Sequence, residues 1–417
     1  MTFKIDVTVI GTGRVGLPLA LCFLNLGLRV NGIDIDERLI RFLKKGRMPF
    51  AEPGCQEMLD RYGLSVDNDF SKIRDSEYLI ITVGTPLRQH VEVDMDHIRD
   101  VMDRIAPYVR KGQTIILRST VAPRATEYVK RYLASRTGWK IGKEICLAYC
   151  PERIAEGKAL DEITTLPQII GAADPESAKK AKELFGKLTD KVFLTDTVSA
   201  ELAKLFSNIS RYVYFAVSNH FMMLADQFDA NIYEILEMTN THYPRQILSS
   251  PGFTAGTCLR KDFGMINEHI PFMDLLLSSW KINEFVPQFL VSHILKRTPI
   301  HKRNIAVLGY TFKKDSDDSR DSLSPKLIRY IQREVPRRIR VCEPNLETGM
   351  KLENGMENET VEAVLTDADI VFITVNHSAF EDGISLIRDC CKKETWFADV
   401  WNMGGAGKLF YQNREVL

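Results

Sequence analysis

Apolar and polar positions alternate at the start of the chain and then give way to a short apolar run that ends at a glycine. The run Ile5–Ile10 has the pattern of a strand, and Leu17–Leu26 has the apolar spacing of a helix. Short apolar runs and segments of helical period continue to alternate through the first half of the chain. This alternation predicts a doubly wound sheet of parallel strands. Its further predicted strands are Arg29–Ile33, Tyr78–Val83, Thr114–Arg118, Glu144–Ala148, Gln168–Ile170 and Val192–Thr195.

The pattern changes after Asp196. From Ser199 to Phe228 apolar residues recur with a period near 3.6 and neither Gly nor Pro interrupts them. This predicts one helix of about thirty residues, whereas a typical helix has about 11–12. A helix of this length with an apolar stripe requires a partner surface, so we expect it to join two lobes and to bury a subunit contact. Shorter helices are predicted at Ile232–Met238, Phe263–Glu268 and Pro271–Leu295.

Strand-like runs return after the basic, polar turn Lys296–Arg303. They predict a second, smaller doubly wound domain with parallel strands at Asn304–Leu308, Arg338–Val341, Ile370–Val375 and Trp396–Val400. The expected fold class is therefore α/β, with two Rossmann-like doubly wound domains joined by a long central helix and a helical dimerisation region. The expected domains are residues 1–197, 198–297 and 298–417.

Composition narrows the classes of partner. The chain of 417 residues has 55 Lys and Arg against 55 Asp and Glu, so no global positive field is available to hold nucleic acid or an anionic membrane. Its eight cysteines show no zinc-like pairing, and we expect no metal site and a reducing cytoplasm. Because the chain opens directly into a predicted strand, we expect no signal peptide, and no apolar run approaches the ~20 residues that span a bilayer. A small-molecule partner is expected.

A glycine pattern links the first strand to the first helix. Gly11 permits a tight turn, Gly13 lets the backbone approach a pyrophosphate, and Gly16 lets the helix pack on the strand. The next strand ends at Asp34, where an acid can accept the ribose hydroxyls and repel a 2′-phosphate. The pattern therefore predicts NAD rather than NADP. Asp36 is the alternative ribose ligand, and its other role would be a helix N-cap.

Polar residues follow three predicted strands at their carboxyl ends, where ligands bind in such sheets. They are Gly84-Thr85-Pro86, Ser119-Thr120, and Pro151-Glu152-Arg153 continuing to Glu156. Each is equally well an ordinary loop, but three at one edge favour a ligand site.

One cysteine has the surroundings of a nucleophile. Cys258 lies among small residues and close to Arg260 and Lys261, and neighbouring cations lower a thiol pKa from about 8.5 and so raise the thiolate fraction. The alternative is a buried, inert cysteine beside a solvated charge run.

Two further polar features stand out. Lys204 and Asn208 are four residues apart and thus share one face of the long helix in an apolar neighbourhood, although a lysine there can also extend to water. In the second domain, the charged loop after Asn304–Leu308 could hold a nucleotide through Lys313 and Arg320, or it could be a solvated loop.

Together these motifs resemble the UDP-glucose/GDP-mannose dehydrogenase family along the whole chain. Members oxidise the C6 alcohol of a nucleotide sugar to a carboxylate with two NAD, a reaction of polysaccharide biosynthesis. The resemblance implies NAD as cofactor, a UDP-sugar substrate and a homodimer. The matching motifs, in order, are the GTGRVG turn, Gly84-Thr85-Pro86, Ser119-Thr120-Val121, Pro151-Glu152, Lys204-Leu-Phe-Ser-Asn208, Gly256-Thr-Cys258 with Lys261-Asp262, and Phe312-Lys313 with Asp317-Asp318 and Arg320.

The resemblance also implies roles for individual residues. Cys258 adds to the C6 aldehyde from the first oxidation; the thiohemiacetal is oxidised to a thioester, which water hydrolyses. Lys204 and Asn208 stabilise the oxyanion, while Thr120, Glu152, Glu156 and Asp262 position water or take up protons, with the base unassigned. The implied cofactor site comprises Gly11, Gly13, Arg14, Val15, Gly16, Asp34, Thr85, Thr120, Glu152 and Arg320, and the implied substrate site comprises Glu152, Glu156, Lys204, Asn208, Arg245, Phe253, Gly256, Phe312 and Lys313.

The motifs of this chain resemble two different branches of the family. Ala148–Arg153 and Asn240–Arg245 resemble the branch that oxidises UDP-N-acetylmannosamine or UDP-N-acetylglucosamine, whereas the Cys258–Asp262 spacing and Glu156 resemble the UDP-glucose branch. Ala255-Gly256 departs from the usual pair of glycines and puts the sugar in question. We predict a UDP-N-acetylhexosamine. The alternatives are UDP-glucose, and a one-step hydroxyacid-type dehydrogenase or a non-catalytic NAD-binding relative.

Overall fold

The computed structural model of this chain has two compact units. The first comprises Met1–Ser207 and Lys261–Pro271, and the second comprises Asn208–Arg260 and Phe272–Leu417. This division into two units does not test the three domains expected from the sequence, which stay a prediction. The structure describes residues 3–85, 95–244, 248–256, 261–262, 264–266 and 274–416.

The first unit contains a sheet with eight strands among its described residues. The spatial order is β3-β2-β1-β4-β5-β6-β7-β8, and the first six strands are parallel. The strand β3 was not predicted from the sequence; the others were. The strands are β1 (Ile5–Ile10), β2 (Val30–Ile33), β3 (Ser65–Asp67), β4 (Ser76–Ile81), β5 (Thr114–Leu117), β6 (Cys146–Tyr149), β7 (Gln168–Ala172) and β8 (Val192–Thr195).

The prediction of a doubly wound parallel sheet is confirmed for the first unit, except that it was wrong for the pairing of β7 with β6. β7 runs antiparallel to β6, and β8 runs parallel to β7. A parallel neighbour needs a crossover of a dozen or more residues that returns the chain to the starting edge. The only helix described between these strands is the seven-residue Ala159–Thr165, so the chain enters β7 from the carboxyl side of β6.

Helices cover both faces of the first sheet, as expected for a doubly wound fold. Apolar residues of α4 and α5 pack on one face, and those of α1 and α7 pack on the other. The helices are α1 (Gly16–Asn25), α2 (Glu37–Lys44), α3 (Cys55–Tyr62), α4 (Asp96–Ile105), α5 (Ala125–Thr137), α6 (Ala159–Thr165) and α7 (Pro175–Phe185), with a 3-10 helix at Phe70–Asp75.

The predicted long helix is present as α8, Thr197–Gln227, close to the expected Ser199–Phe228. Its start is capped by Asp196, whose carboxylate accepts the Ser199 N–H at 2.8 Å. Within the described ranges, no helix combines the length and apolar character needed to cross a bilayer.

The second unit contains a smaller sheet with the order β10-β9-β11-β12-β13. Four strands are parallel, as predicted, and β13 pairs antiparallel with β12. β13 was not predicted. The strands are β9 (Asn304–Leu308), β10 (Arg338–Cys342), β11 (Ile370–Ile373), β12 (Trp396–Asp399) and β13 (Phe410–Gln412).

The second sheet also has a core on each face. The helices of this unit are the later part of α8, α9 (Ile232–Asn240), α10 (Asp274–Leu295), α11 (Ser324–Arg333), α12 (Val361–Leu365), α13 (Ser378–Asp382) and α14 (Ile384–Asp389), with a 3-10 helix at Asn413–Glu415. In the first unit, residues 261–262 and 264–266 are also helical, just before the predicted helix Phe263–Glu268 and within it.

Candidate functional site

The glycine turn of the first unit shows three different uses of glycine. Gly11 has φ +94°, and a Cβ there would lie 3.1 Å from the backbone of Thr82. A Cβ on Gly16 would lie 1.9 Å from the Gly11 carbonyl oxygen. Gly13 differs, because no atom lies within 4 Å of where its Cβ would be. Gly11 and Gly16 are therefore required by the turn itself, whereas Gly13 leaves open space for a ligand's phosphates, next to the first turn of α1.

Asp34 lies directly after β2 and faces this turn. Its Oδ2 accepts the Thr12 N–H at 2.6 Å, and its Oδ1 accepts the Asp36 N–H at 2.9 Å. Asp36, the alternative ribose ligand, is instead the N-cap of α2 and accepts the Arg38 N–H at 2.8 Å. Asp34 is thus fixed in orientation by two backbone donors, and its remaining lone pairs are available to a ribose.

A cavity of about 250 Å³ opens beside Asp34. Gly11, Asp34 and Val83 bring the ends of β1, β2 and β4 to it, and α4 closes it with Val101 and Arg104. This combination of an apolar slot and a fixed carboxylate fits the adenosine part of a dinucleotide.

Arg14 and Val15 complete the predicted turn. Val15 directly precedes α1, and the Arg14 guanidinium lies 5.0 Å from the centre of the Phe50 ring. Arg14 Nη1 is 3.9 Å from Glu156 Oε2, so two predicted site residues from distant positions are brought together.

Three of the predicted motifs meet in the first unit through Thr85. Its hydroxyl donates to the Thr120 carbonyl oxygen at 2.6 Å and accepts from Lys261 Nζ at 3.2 Å. Asp262, the next residue, is fully buried. Burial raises the pKa of the neighbouring Tyr149 hydroxyl well above its ordinary value, and the Asp262 charge adds to this effect. Lys261, three positions after Cys258 in the sequence, is thus tied to the strand ends that were expected to hold ligands.

Glu152 lies in a more enclosed setting than expected. Its Oε2 accepts a hydrogen bond from Arg118 Nε at 2.8 Å and forms an ion pair with Arg118 Nη2 at 2.6 Å, and both residues are buried. Its Oε1 accepts the N–H groups of Arg153 and Ile154. The carboxylate therefore holds the loop that leads to Glu156. Arg118 was missed as a site residue, although an arginine at the end of an apolar strand was the available signal.

Lys204 is positioned by an anchor one turn earlier on α8. The Glu201 carboxylate accepts the N–H groups of Arg124 at 2.6 Å and Thr126 at 2.8 Å, at the start of α5. Gly171 lets α8 approach β7, since a Cβ there would lie 2.6 Å from Ala200 Cβ. Glu201 was also missed from the sequence.

The Lys204 side chain itself is buried, with 7% of its surface exposed. Among the described residues of the first unit, none lies within hydrogen-bond or ion-pair distance of its Nζ. Buried charges are normally paired, and an exception points to a ligand or a reacting group. Asn208 follows one turn later, is likewise buried, and has a partner of its own.

In the second unit, α8 fixes the segment 248–256, which precedes Cys258 in the sequence. Asn219 accepts the Gly252 N–H at 2.8 Å and donates to Asn283 of α10 at 3.0 Å, and both asparagines are fully buried. Gly252 is required by contact, since a Cβ there would lie 2.2 Å from the Trp401 ring.

A cavity of about 230 Å³ in the second unit collects three predicted substrate residues. Phe253, Phe312 and Lys313 line it together with Trp401. Gly256 packs under the Phe312 ring, where φ +101° and a Cβ position 2.7 Å from the ring both require glycine. Aromatic walls and a cation at the carboxyl edge of a doubly wound sheet fit the base and the phosphates of a nucleoside diphosphate. Trp401 was missed, although its place after a predicted strand was a signal.

A buried hydrogen-bond network holds the loop that carries Phe312 and Lys313. Glu343 Oε2 accepts the N–H groups of Tyr310 at 2.7 Å and Thr311 at 3.0 Å, and lies 3.0 Å from His377 Nε2. His377 Nδ1 accepts the Asp315 N–H at 2.9 Å, which assigns the proton to Nε2 and makes it a donor to Glu343. Glu343 and His377 were not singled out from the sequence.

The remaining predicted residues are placed as follows. Arg320, in the second unit, makes a paired contact with Asp318, with Nη2 at 2.6 Å from Oδ2. Arg245 and Cys258 lie outside the described residues. Among the residues that are described, no group of three or more His, Cys, Asp or Glu side chains is arranged to hold a metal.

Comparison with known proteins gives matches along nearly the whole chain. Three models of the UDP-glucose/GDP-mannose dehydrogenase family match it: the NAD binding domain at residues 5–189, the central domain at 198–283 and the UDP binding domain at 306–405.

Individual proteins agree with these models. The chain is 30% identical over 387 residues to a UDP-N-acetyl-D-mannosamine dehydrogenase of Pyrococcus horikoshii, which covers 90% of both chains. A solved structure of the UDP-D-ManNAc dehydrogenase from this organism has a TM-score of 0.85 at 29% identity and covers 93% of both chains. A UDP-glucose dehydrogenase structure from Pyrobaculum islandicum has a TM-score of 0.82 at 25% identity and covers 90% of this chain and 91% of that chain.

Proposed function

Because this chain belongs to the UDP-glucose/GDP-mannose dehydrogenase family and is an NAD-dependent nucleotide-sugar dehydrogenase, we propose that it oxidises UDP-N-acetyl-D-mannosamine at C6 to the uronic acid. The observation that carries the choice of sugar is the match to a UDP-N-acetyl-D-mannosamine dehydrogenase over 90% of both chains. The cavity lined by Phe312, Lys313 and Trp401 supports a nucleoside diphosphate as the part of the substrate that the second unit binds.

The first unit fits the cofactor. Gly13 leaves room for the pyrophosphate at the start of α1, and Asp34 offers its carboxylate to the ribose hydroxyls. NAD, when bound, supplies the hydride acceptor for both oxidations. Arg14 and Val15 border the phosphate position, and Thr85 and Thr120 are held together at the neighbouring strand ends.

The chain's own chemistry centres on Cys258. Its thiolate would add to the C6 aldehyde left by the first oxidation, which retains the aldehyde as a thiohemiacetal. Oxidation of this adduct gives a thioester, and water then releases the carboxylate and restores the thiol. Lys204 and Asn208 would donate to the oxyanion, and Glu156 or Asp262 would hold the water and take up its proton.

A panel of UDP-sugars tests the proposed substrate. UDP-N-acetyl-D-mannosamine is expected to give the highest kcat/KM, measured as NADH absorbance, ahead of UDP-N-acetylglucosamine and UDP-glucose. A second candidate, UDP-glucose, is favoured by the similarity to the Pyrobaculum islandicum structure. A higher kcat/KM with UDP-glucose would select that candidate and reject the first.

Replacing Asp34 by alanine is expected to weaken NAD binding and to reduce the preference for NAD over NADP. The carboxylate would no longer bond to the ribose hydroxyls or repel a 2′-phosphate, and each charge-assisted hydrogen bond contributes about 1.5–3 kcal/mol. Dissociation constants for both cofactors measure this. Asp36→Ala is the matched control, because Asp36 caps α2, and it should leave the preference unchanged. An unaltered preference in Asp34→Ala would reject the assignment.

Replacing Glu343 by glutamine is expected to destabilise the loop that carries Phe312 and Lys313, to an extent that depends on pH. Burial raises the pKa of the Glu343 carboxyl, but hydrogen bonds from His377, Thr311 and Tyr310 outweigh this and leave it below the ordinary value of 4.5. A lowered folded pKa contributes stability that is present above the unfolded pKa and is lost as the pH falls through the folded pKa.

At pH 7 the Glu343→Gln protein should therefore be less stable, by about 1–3 kcal/mol, and should bind UDP more weakly while NAD binding is retained. The difference in unfolding midpoint should shrink as the pH falls below 4.5. A difference that stays constant from pH 7 to pH 3 would show that ionised Glu343 is not the stabilising form.

We further propose a homodimer formed through α8. On its second-unit part, Phe221 and Leu224 are each 40% exposed and Phe228, just after the helix, is 77% exposed. Such an apolar stripe is stabilised by a second copy. Sedimentation at micromolar concentration should give a dimer, and Phe221→Glu with Leu224→Glu should give monomers. His220→Glu, at an exposed polar position, is the control. A monomeric wild-type protein would contradict the proposal.

We also place the enzyme in the cytoplasm. The described cysteines are all free, and five of them are buried, which suits a reducing compartment. The buried thiols are Cys22, Cys55, Cys146, Cys150 and Cys342.

A further inference from the structure

Positive charge is concentrated at the amino-terminal edge of the second sheet, which the proposed reaction does not use. A cavity of about 830 Å³ opens there, where the chain enters β9, β10, β11 and β12. Six of its lining side chains are cationic: Lys302, Arg303, Arg337, Arg338, Arg340 and Lys392.

The charge of this cavity is not balanced by its own acids. Two carboxylates, Asp367 and Asp369, line it, so six positive charges against two negative ones leave a net charge of +4 with His301 counted as neutral. The chain as a whole has a net charge of zero. The excess is therefore a local feature of this edge, and it attracts anions.

The ion pairs in the cavity are loose. Arg303 Nη1 lies 3.7 Å from Asp369 Oδ1, and Lys392 Nζ lies 3.8 Å from the same atom. Arg340 Nε lies 3.7 Å from Glu359 Oε2. These distances exceed that of a direct hydrogen bond, and exposed pairs of this kind contribute little, about 0–1 kcal/mol. An anion with several oxygens can therefore compete for these cations.

Two of the cations have no ion-pair partner in the described part of the chain, namely Lys302 and Arg337. Their backbones are nevertheless fixed. The Lys302 N–H donates to Val335 at 3.1 Å, and the Arg337 N–H donates to Arg303 at 2.9 Å. These bonds join the turn before β9 to the turn before β10, so the backbone positions of the two cations are held near one another.

We propose that this cavity binds a small molecule with adjacent phosphate groups. Four of the six cations are arginines, whose planar guanidinium matches phosphate oxygens in pairs, and several cations in one cavity suit several linked charges. The site lies at the edge of the sheet opposite to the nucleotide cavity, separated by the length of the strands, about 15 Å. The ligand therefore stabilises the second unit and does not compete with the UDP-sugar.

Calorimetric titration with inorganic tripolyphosphate tests the site, with NAD and UDP present in excess to fill other phosphate sites. The wild-type chain should bind one equivalent. Lys302→Glu with Arg337→Glu should weaken binding by about 100-fold, since two charge-assisted contacts at about tenfold each are lost. Arg131→Glu with Lys143→Glu, which reverses one exposed arginine and one exposed lysine in the first unit, should bind as the wild type does.

Three results would overturn the proposal. The first is no binding by the wild-type chain, and the second is equal binding by all three proteins. The third is a rise in KM for the UDP-sugar at saturating tripolyphosphate, which would place the ligand in the nucleotide cavity. The Lys302→Glu, Arg337→Glu protein should keep its NADH-forming activity, because both substitutions leave the catalytic residues intact.

A membrane surface offers the same phosphate chemistry from another source. Cosedimentation with phosphatidylglycerol vesicles at physiological salt separates the two sources. The proposal expects the protein to remain in the supernatant. The contrary result is that the wild-type protein binds vesicles and tripolyphosphate does not displace it, whereas the Lys302→Glu, Arg337→Glu protein does not bind them. That result would show that the ligand of the cavity is a lipid surface and not a small molecule.

Discussion

Replacing Cys258 by serine is expected to abolish turnover while the protein remains folded and binds both ligands. A serine hydroxyl has a much higher pKa than a thiol, so acyl transfer to it and release from it become very slow. Steady-state NADH formation should fall by at least about three orders of magnitude. Dissociation constants for NAD and UDP should stay close to those of the wild type, because neither depends on the sulfur.

The matched control is Cys390→Ser, at a partly exposed cysteine in the second unit. This variant should keep the wild-type rate. Supplying the C6 aldehyde directly should not rescue Cys258→Ser, since the block lies after the first oxidation. A Cys258→Ser protein with nearly normal turnover would show that Cys258 is only a small residue in a turn, and the covalent route would have to be abandoned.

Replacing Lys204 by methionine is expected to lower activity without lowering stability. Lys204 is buried and has no partner among the described residues of its unit, so its charge is unfavourable in the resting fold. Methionine has a similar shape and removes that cost. Loss of one oxyanion donor reduces kcat by about 10²–10³, or about 2.7–4 kcal/mol.

The two readouts together separate a catalytic from a structural role. The unfolding midpoint of Lys204→Met should equal or exceed that of the wild type, whereas kcat falls. Lys179→Met, at an exposed position on α7, is the control and should change neither. A lower midpoint with unchanged kcat would show that Lys204 stabilises the fold and does not assist the reaction.

The sequence pattern was sufficient for most elements because long apolar runs bounded by glycine or acids leave little choice. β1 and β9 have the predicted bounds, and α8 differs by two residues at its start. Short elements gave too little signal. β3 is the three-residue segment Ser65–Asp67, with one apolar residue, and β13 follows a glycine-rich turn.

Strand direction was not encoded in the local pattern. Gln168–Ala172 reads as a buried strand whichever way it runs, and only the length of the preceding connection decides that β7 is antiparallel to β6.

The candidate site divides in the same way. Gly11, Gly16 and Asp34 could be identified because each acts through its own backbone or through near neighbours. Glu201 acts on residues about 75 positions away, and His377 acts on Glu343 from 34 positions away. Such pairs are brought together only by the folded sheet, so a single sequence does not reveal them.

The count of NADH formed per UDP-N-acetyl-D-mannosamine consumed tests the central claim most directly. Full conversion of a known amount of the sugar is followed by absorbance, and the product is identified by mass. The account predicts two NADH per sugar and a uronic acid, with no free aldehyde at any time, because the aldehyde stays bound to Cys258 until it is oxidised. One NADH per sugar, or an aldehyde that accumulates in solution, would contradict it.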